Sequence, residues 1–220
     1  MIDVIGEAVL RMACAQSREW KQSGCGPFRV AVNVSPRQLC DQNFPETVAL
    51  VLAETALAAE LLEIEVTETS LIENADCAIQ TLERLREMGV RIAIDDFGIG
   101  YSSLAYLKRL PIDSVKLDVS FVKHATTDPD DAALVMAIIN LAHNLRLKVI
   151  AEGIERQDQL AFLRLLRCDE GQGFLFGEPA PAPIMTVLSD AHTANLVADE
   201  QLSKGSIHLA PPPQHLIAVA

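Results

Sequence analysis

The sequence predicts an incomplete (β/α) barrel of the TIM type, with about six of the usual eight strands. Short apolar, β-branched runs alternate with longer helical ones six times, the pattern of a parallel sheet with right-handed crossovers. Unusual polar residues fall at or near the ends of those runs: Asn33, Glu65, Asp95, Asp96, Lys116, Glu152 and Gln172. They can meet only if the strands form a ring, which selects a barrel over a doubly wound sheet. A complete barrel takes about eight strands in about 250 residues, so two strands are expected to be missing from these 220 residues.

Each element has its own signal. Ile5, Val9, Met12, Ala13 and Trp20 recur at helical spacing over 2–22, and the pattern breaks at Gly24 and Pro27. A strand over 30–34 carries Asn33 near its end, and Ser35 and Pro36 turn the chain. A helix over 44–59 precedes a strand over 61–67, where Glu65 interrupts an apolar setting and Glu68 follows. The helix over 74–88 closes on Gly89 as a C-terminal cap. After the strand that begins at Arg91 come a short helix over 102–109, a strand over 114–118 and an apolar helix over 130–145. A strand over 148–151 ends in Glu152, a helix spans 157–167, a strand over 170–176 carries Gln172, and a last helix spans 181–189. The barrel domain is thus expected over 1–190. Residues 191–220, with a proline run and no periodicity, are expected to form a loose, disordered tail.

Composition narrows the function classes. A net charge of −12 argues against a sequence-independent grip on a nucleic-acid polymer, since that grip needs Lys and Arg to neutralise phosphates. An anionic substrate would need a metal intermediary. The sequence has no apolar run long enough to span a bilayer, and no secretion signal is expected. Its five cysteines are scattered without zinc or disulfide spacing, which points to the reduced cytoplasm.

The chemistry concentrates in residues 91–103. Apolar strand residues run into Asp95 and Asp96, and Gly98 and Gly100 loosen the loop that follows. Alternate strand residues face opposite ways, so both carboxylates can converge only if the strand ends between them. Such a pair suits a divalent metal better than a core. The structural alternatives are a loop capped by its aspartates, a Lys116–Asp118 pair on one strand face, and a Gln172 that merely satisfies backbone.

Six ordered blocks together resemble the EAL domain, the bacterial phosphodiesterase that opens cyclic di-GMP to linear pGpG. They are Val32, Asn33, Val34 and Ser35 with Gln38 and Leu39; Glu65 to Glu68; Asp95 to Gly98 with Gly100 to Ser103; Pro111 with Lys116, Leu117, Asp118 and Phe121; Ala151 to Glu155; and Gln172, Gly173 and Pro179. The resemblance implies that Asn33, Glu65 and Asp95 hold one Mg or Mn ion and that Asp96 reaches a second, all through hard oxygens. It implies catalytic roles for Glu152, Lys116 and Glu155, and substrate contacts for Gln172 and Asp118. Glu68 becomes the anchor of the loop 97–103, through which a homodimer would form. Two ions about 4 Å apart would activate a water for in-line attack.

Two departures from the family matter. Ile99 stands where a small residue is usual. The family's first two strands, the second carrying its Glu-Ala-Leu signature and a metal-ligand glutamate, have no counterpart here, and Glu7, Ala8, Val9 and Leu10 belong to the following helix. The expectation is an N-terminally truncated domain, from an internal start or a shortened gene, with impaired turnover and with unpaired sheet edges at 30–34 and 173–176. The alternatives are an inactive cyclic di-GMP receptor or protein-interaction module and, on the residues alone, a Mg-dependent barrel enzyme in which Lys116 abstracts a proton.

Overall fold

The computed structural model describes residues 2–24, 28–73, 75–100, 107–179 and 181, and the backbone of 216–219. Its elements are α1 (Ile2–Gln22), β1 (Arg29–Asn33), α2 (Pro36–Leu39), α3 (Phe44–Thr55), β2 (Leu62–Thr67), α4 (Glu68–Glu73), α5 (Ala75–Glu87) and β3 (Arg91–Phe97). They continue as β4 (Ser114–Leu117), α6 (Val119–His124), α7 (Pro129–Asn144), β5 (Lys148–Ala151), α8 (Gln157–Leu165), β6 (Glu170–Gly171) and β7 (Leu216–Val219).

The strands β1 to β6 lie side by side in chain order and all run parallel. A doubly wound sheet reverses its order part-way; here the order never reverses, so right-handed crossovers place every helix on one side. The other side is the interior of a curled, incomplete barrel.

Side chains confirm the curl. Arg29 in β1 reaches Glu170 in β6 at 3.3 Å, although a flat sheet would hold those strands roughly 24 Å apart at the usual strand spacing.

The two faces carry different chemistry. Val30, Val32, Leu62, Ile64, Val66, Ile92, Ile94, Val115, Leu117 and Val149 share the helix-covered face and are buried. Against them pack Leu10, Ala13 and Cys14 of α1, Val48 and Val51 of α3, Ala78, Leu82 and Leu85 of α5, and Val135 and Ile139 of α7. The helical spacing of these residues supplies the core-facing stripes. The opposite positions are small or polar: Ala31, Asn33, Glu63, Glu65, Ala93, Asp95, Ser114 and Lys116.

At the start of the strands this interior holds an ion network. Arg29 binds Glu63 at 2.8 Å as well as Glu170, and Lys148 binds Glu170 at 3.0 Å. Burial pushes the Glu63 carboxyl up, and Arg29 opposes that shift.

Several expectations change. The β1 edge is not open: β7 pairs with it in parallel, from Arg29 beside Leu216 to Val32 beside Val219. Those four residues belong to the stretch read as a loose tail, most of which lies outside the described residues. The strand expected over 170–176 shrinks to Glu170–Gly171 because the chain turns after Gly173, leaving Phe174 and Phe176 exposed. The helix over 44–59 stops at Thr55, where Ala56 takes a left-handed conformation. Asp118 ends no strand face; it caps α6 by accepting from the Ser120 N–H at 2.8 Å. The helix over 181–189, and most of that over 102–109, fall outside the described residues. Cys40 and Cys77, 37 residues apart, are joined by a disulfide, so wide spacing in sequence did not preclude pairing.

Replacing Arg29 tests the interior network. Arg29→Ala strands the Glu63 carboxylate in the interior, while Glu170 keeps Lys148, and should cost about 3–5 kcal/mol in urea denaturation, with Glu63→Gln in that background recovering part. A loss below about 1 kcal/mol would assign the network the energetics of a solvated surface pair.

Candidate metal and phosphodiester site

The C-terminal ends of the strands deliver the site. Lys116, from β4, is 3% exposed, and its Nζ lies 2.8 Å from Glu65 Oε1 of β2, 3.0 Å from Asp95 Oδ1 of β3 and 2.8 Å from Glu152 Oε1 just past β5. Burial opposes charge on this amine, but Glu65 and Glu152 outweigh it and hold the ammonium above its ordinary range. Burial likewise pushes the Glu65 carboxyl up to about 7 against the pull of Lys116, and it raises Glu152 for the same reason.

Asp95, Asp96 and Glu152 form the one acidic cluster of metal-binding geometry among the described residues, each offering an oxygen within 4.8 Å of the others. Adjacent strand residues should diverge, and the expectation was that the strand must end between the two aspartates. Instead β3 continues to Phe97 while Asp96 adopts a positive φ of 53° and the pairing register with β4 shifts between Ile94 and Phe97. That bulge turns both carboxylates to one side, and aspartate tolerates the left-handed region better than most residues. Burial, then Asp95 and Asp118, raise the Asp96 carboxyl, an excess of negative charge that a cation would relieve. Three hard oxygens at this spacing suit a hard divalent cation.

The other expected residues take distinct places. Gln172 donates from Nε2 to Glu152 Oε1 at 2.6 Å, so it holds that carboxylate rather than only the backbone. Glu65 belongs to the Lys116 group and lies outside the three-carboxylate cluster. Asn33 is exposed at the end of β1, in register with Glu65 and beside a groove bounded by Ile5, Val9, Val34 and Pro36. Glu155 is exposed, and its N–H donates to Gln159 Oε1. No Lys116–Asp118 ion pair forms among the described residues.

Glu68, buried at the start of α4, accepts hydrogen bonds at Oε2 from the Gly98 N–H (3.1 Å) and the Gly100 N–H (3.3 Å). A Cβ on Gly100 would stand 2.7 Å from that carboxylate, so any larger residue there would push Glu68 out of this position. Ile99 points outward, 61% exposed. Residues 101–103 of the loop lie outside the described residues.

The sequence reading overlooked Glu63 and Glu170 of the interior network. The signal was present for Glu63, which stands two residues before Glu65 and therefore on the same face of the strand.

Comparison with known proteins now decides the family. The EAL domain family model matches residues 1–179. This chain belongs to the EAL family. It is 48% identical over 181 residues to the cyclic di-GMP phosphodiesterase NbdA of Pseudomonas aeruginosa, covering 82% of this chain and 23% of that protein. It is 45% identical over 182 residues to the bifunctional diguanylate cyclase/cyclic di-GMP phosphodiesterase MucR of the same organism, covering 83% and 27%. The chain therefore spans about a quarter of the length of the curated relatives it matches. Among solved structures, the EAL domain of Mycobacterium smegmatis DcpA superposes with a TM-score of 0.83 at 37% identity, covering 87% of this chain and 86% of that one. The cyclic di-GMP complex of the MucR phosphodiesterase superposes with a TM-score of 0.80 at 44% identity, covering 84% and 74%.

The Glu68 anchor makes a local prediction. Glu68→Gln should speed hydrogen exchange at Gly98 and Gly100 by about tenfold or more, the worth of hydrogen bonds to a charged acceptor, while amides of β4 and β5 keep their protection. Unchanged exchange at both glycines would remove Glu68 as the anchor.

Proposed function

We propose that this domain hydrolyses one phosphodiester of cyclic di-GMP to give linear pGpG, in the cytoplasm and with Mg or Mn. The observation that carries the reading is the convergence of Asp95, Asp96 and Glu152 beside the buried Lys116. Relatives named for this activity, and one solved with the dinucleotide bound, support the substrate.

In this reading Asp95, Asp96 and Glu152 would hold divalent cations, with Glu65 and Asn33 as further oxygen ligands from the adjoining strands. A pair of ions there would neutralise the phosphate and lower the pKa of the attacking water. The chain's own residues do the rest. Lys116 and Gln172 both engage Glu152 Oε1, fixing that carboxylate beside the place where the attacking water would be bound. Glu155 supports this end of the site from the loop after β5. Asp118 and Gln172 line the substrate side. Glu68 holds the glycine loop, and a homodimer formed through residues 97–103 would bear on the same anchor.

The test is incubation of the purified chain with cyclic di-GMP and Mg or Mn, followed by chromatography for pGpG. Turnover is expected, lost with EDTA and reduced more than about 100-fold by Glu152→Ala, beyond the usual cost of a lost outer-shell partner. Tight binding without turnover would assign the chain to the receptor class instead. Neither binding nor turnover would overturn both readings.

A further inference from the structure

We propose that Cys40 and Cys77 are a reversible thiol–disulfide pair that clamps α2, the helix following Asn33, to α5. Their Cα atoms lie 5.3 Å apart, inside the range that a disulfide spans without backbone movement. Both residues are half-buried, so a small oxidant can reach them.

The surrounding contacts make this a built junction. Cys77 stands in the first turn of α5, and Arg84, seven residues on and so two turns along the same face, donates to the Gln42 carbonyl at 3.0 Å and pairs with Glu46. Cys40 is the C-cap of α2, and its N–H is bonded to the Pro36 carbonyl. At the other end of α2, Ser35 and Gln38 form a reciprocal capping box two residues after Asn33. The clamp therefore joins the turn that follows Asn33 to the helix that succeeds Glu68 and α4.

The pair also differs from the other described cysteines. Cys14 is fully buried, and burial pushes its thiol up to about 11; Cys168 is pushed up to about 12 by burial and then by Asp169. Both are poor nucleophiles at neutral pH. Cys77, by contrast, lies at the N-terminal end of a 13-residue helix, where the helix dipole favours a thiolate.

The oxidant class is a low-molecular-weight disulfide such as glutathione disulfide. The Cys77 thiolate attacks one of its sulfurs, forms a mixed disulfide and releases one glutathione thiolate. Cys40, having given its proton to solvent, then attacks the Cys77 sulfur and expels the second glutathione. Two protein thiols are oxidised, and one glutathione disulfide becomes two glutathiones. Closing a loop of 37 residues constrains the unfolded chain and should raise Tm by about 5–10 °C.

The experiment equilibrates the folded chain with reduced or oxidised glutathione, quenches it with acid and titrates thiols in denaturant. The count should fall from five to three in the oxidised sample and return with reductant. The stretch between Arg37 and Arg84 contains no lysine or arginine, so a glutamate-specific protease should release the linked Cys40 and Cys77 peptides for mass spectrometry. Reduction should lower Tm and speed hydrogen exchange at Leu39 and Cys40. Cys40→Ser, which lacks the second thiol, should accumulate a glutathione adduct on Cys77. Five titratable thiols after oxidation, a link through Cys14, Cys25 or Cys168, or a Tm and exchange pattern indifferent to reduction would each overturn the clamp.

Discussion

One ammonium group, on Lys116, holds together carboxylates from three neighbouring parts of the sheet. Glu65, Asp95 and Glu152 all approach its Nζ within 3.0 Å. Without that charge, their mutual repulsion would oppose bringing β2, β3 and β5 to a common centre. With it, the carboxylates form a fixed constellation before any cation or substrate arrives. Desolvating such a group costs several kcal/mol per ion, and a lysine spends that free energy on geometry rather than on net stability. The surrounding negative charge outweighs burial and holds the ammonium above its ordinary range, which suits an electrostatic brace better than a proton-abstracting base.

The brace works only because the sheet curls. Sequential parallel order puts the helices on one side and leaves the other side narrow, so polar residues on non-adjacent strands can touch. The same geometry recurs near the strand starts, where Arg29 joins Glu63 to Glu170. The interior thus carries two polar groups, joined through the consecutive inward residues Glu63 and Glu65 of β2, while the outer face carries the apolar core. Burying the outer face drives folding. The inner ion pairs specify which strand positions meet.

Much of this was legible in the sequence for a physical reason. A parallel strand buried on both faces should be apolar, so Glu65, Lys116 and Asp95 were conspicuous, and their placement at strand ends implied a ring. The bulge at Asp96 was not legible, because a positive φ at one aspartate leaves no periodic trace; the two carboxylates converge by a backbone irregularity where alternation predicted divergence. Gln172 was visible as a site residue, but its grip on Glu152 depends on a loop path that local pattern does not encode. The Cys40–Cys77 junction and the pairing of Leu216–Val219 with β1 are long-range contacts with no local signature.

In the proposed site the bulge at Asp96 completes, with Asp95 and Glu152, a place for a divalent cation. Titration of the purified chain with Mn²⁺, followed by the electron paramagnetic resonance signal of the free ion, tests it most directly. Asp96 stands exposed at the rim, so Asp96→Asn should leave the fold intact while weakening Mn²⁺ binding by about tenfold or more, since losing a direct ligand should cost at least as much as losing an outer-shell partner. Mn²⁺ binding that is absent from the wild-type chain, or undiminished in Asp96→Asn, would contradict the account.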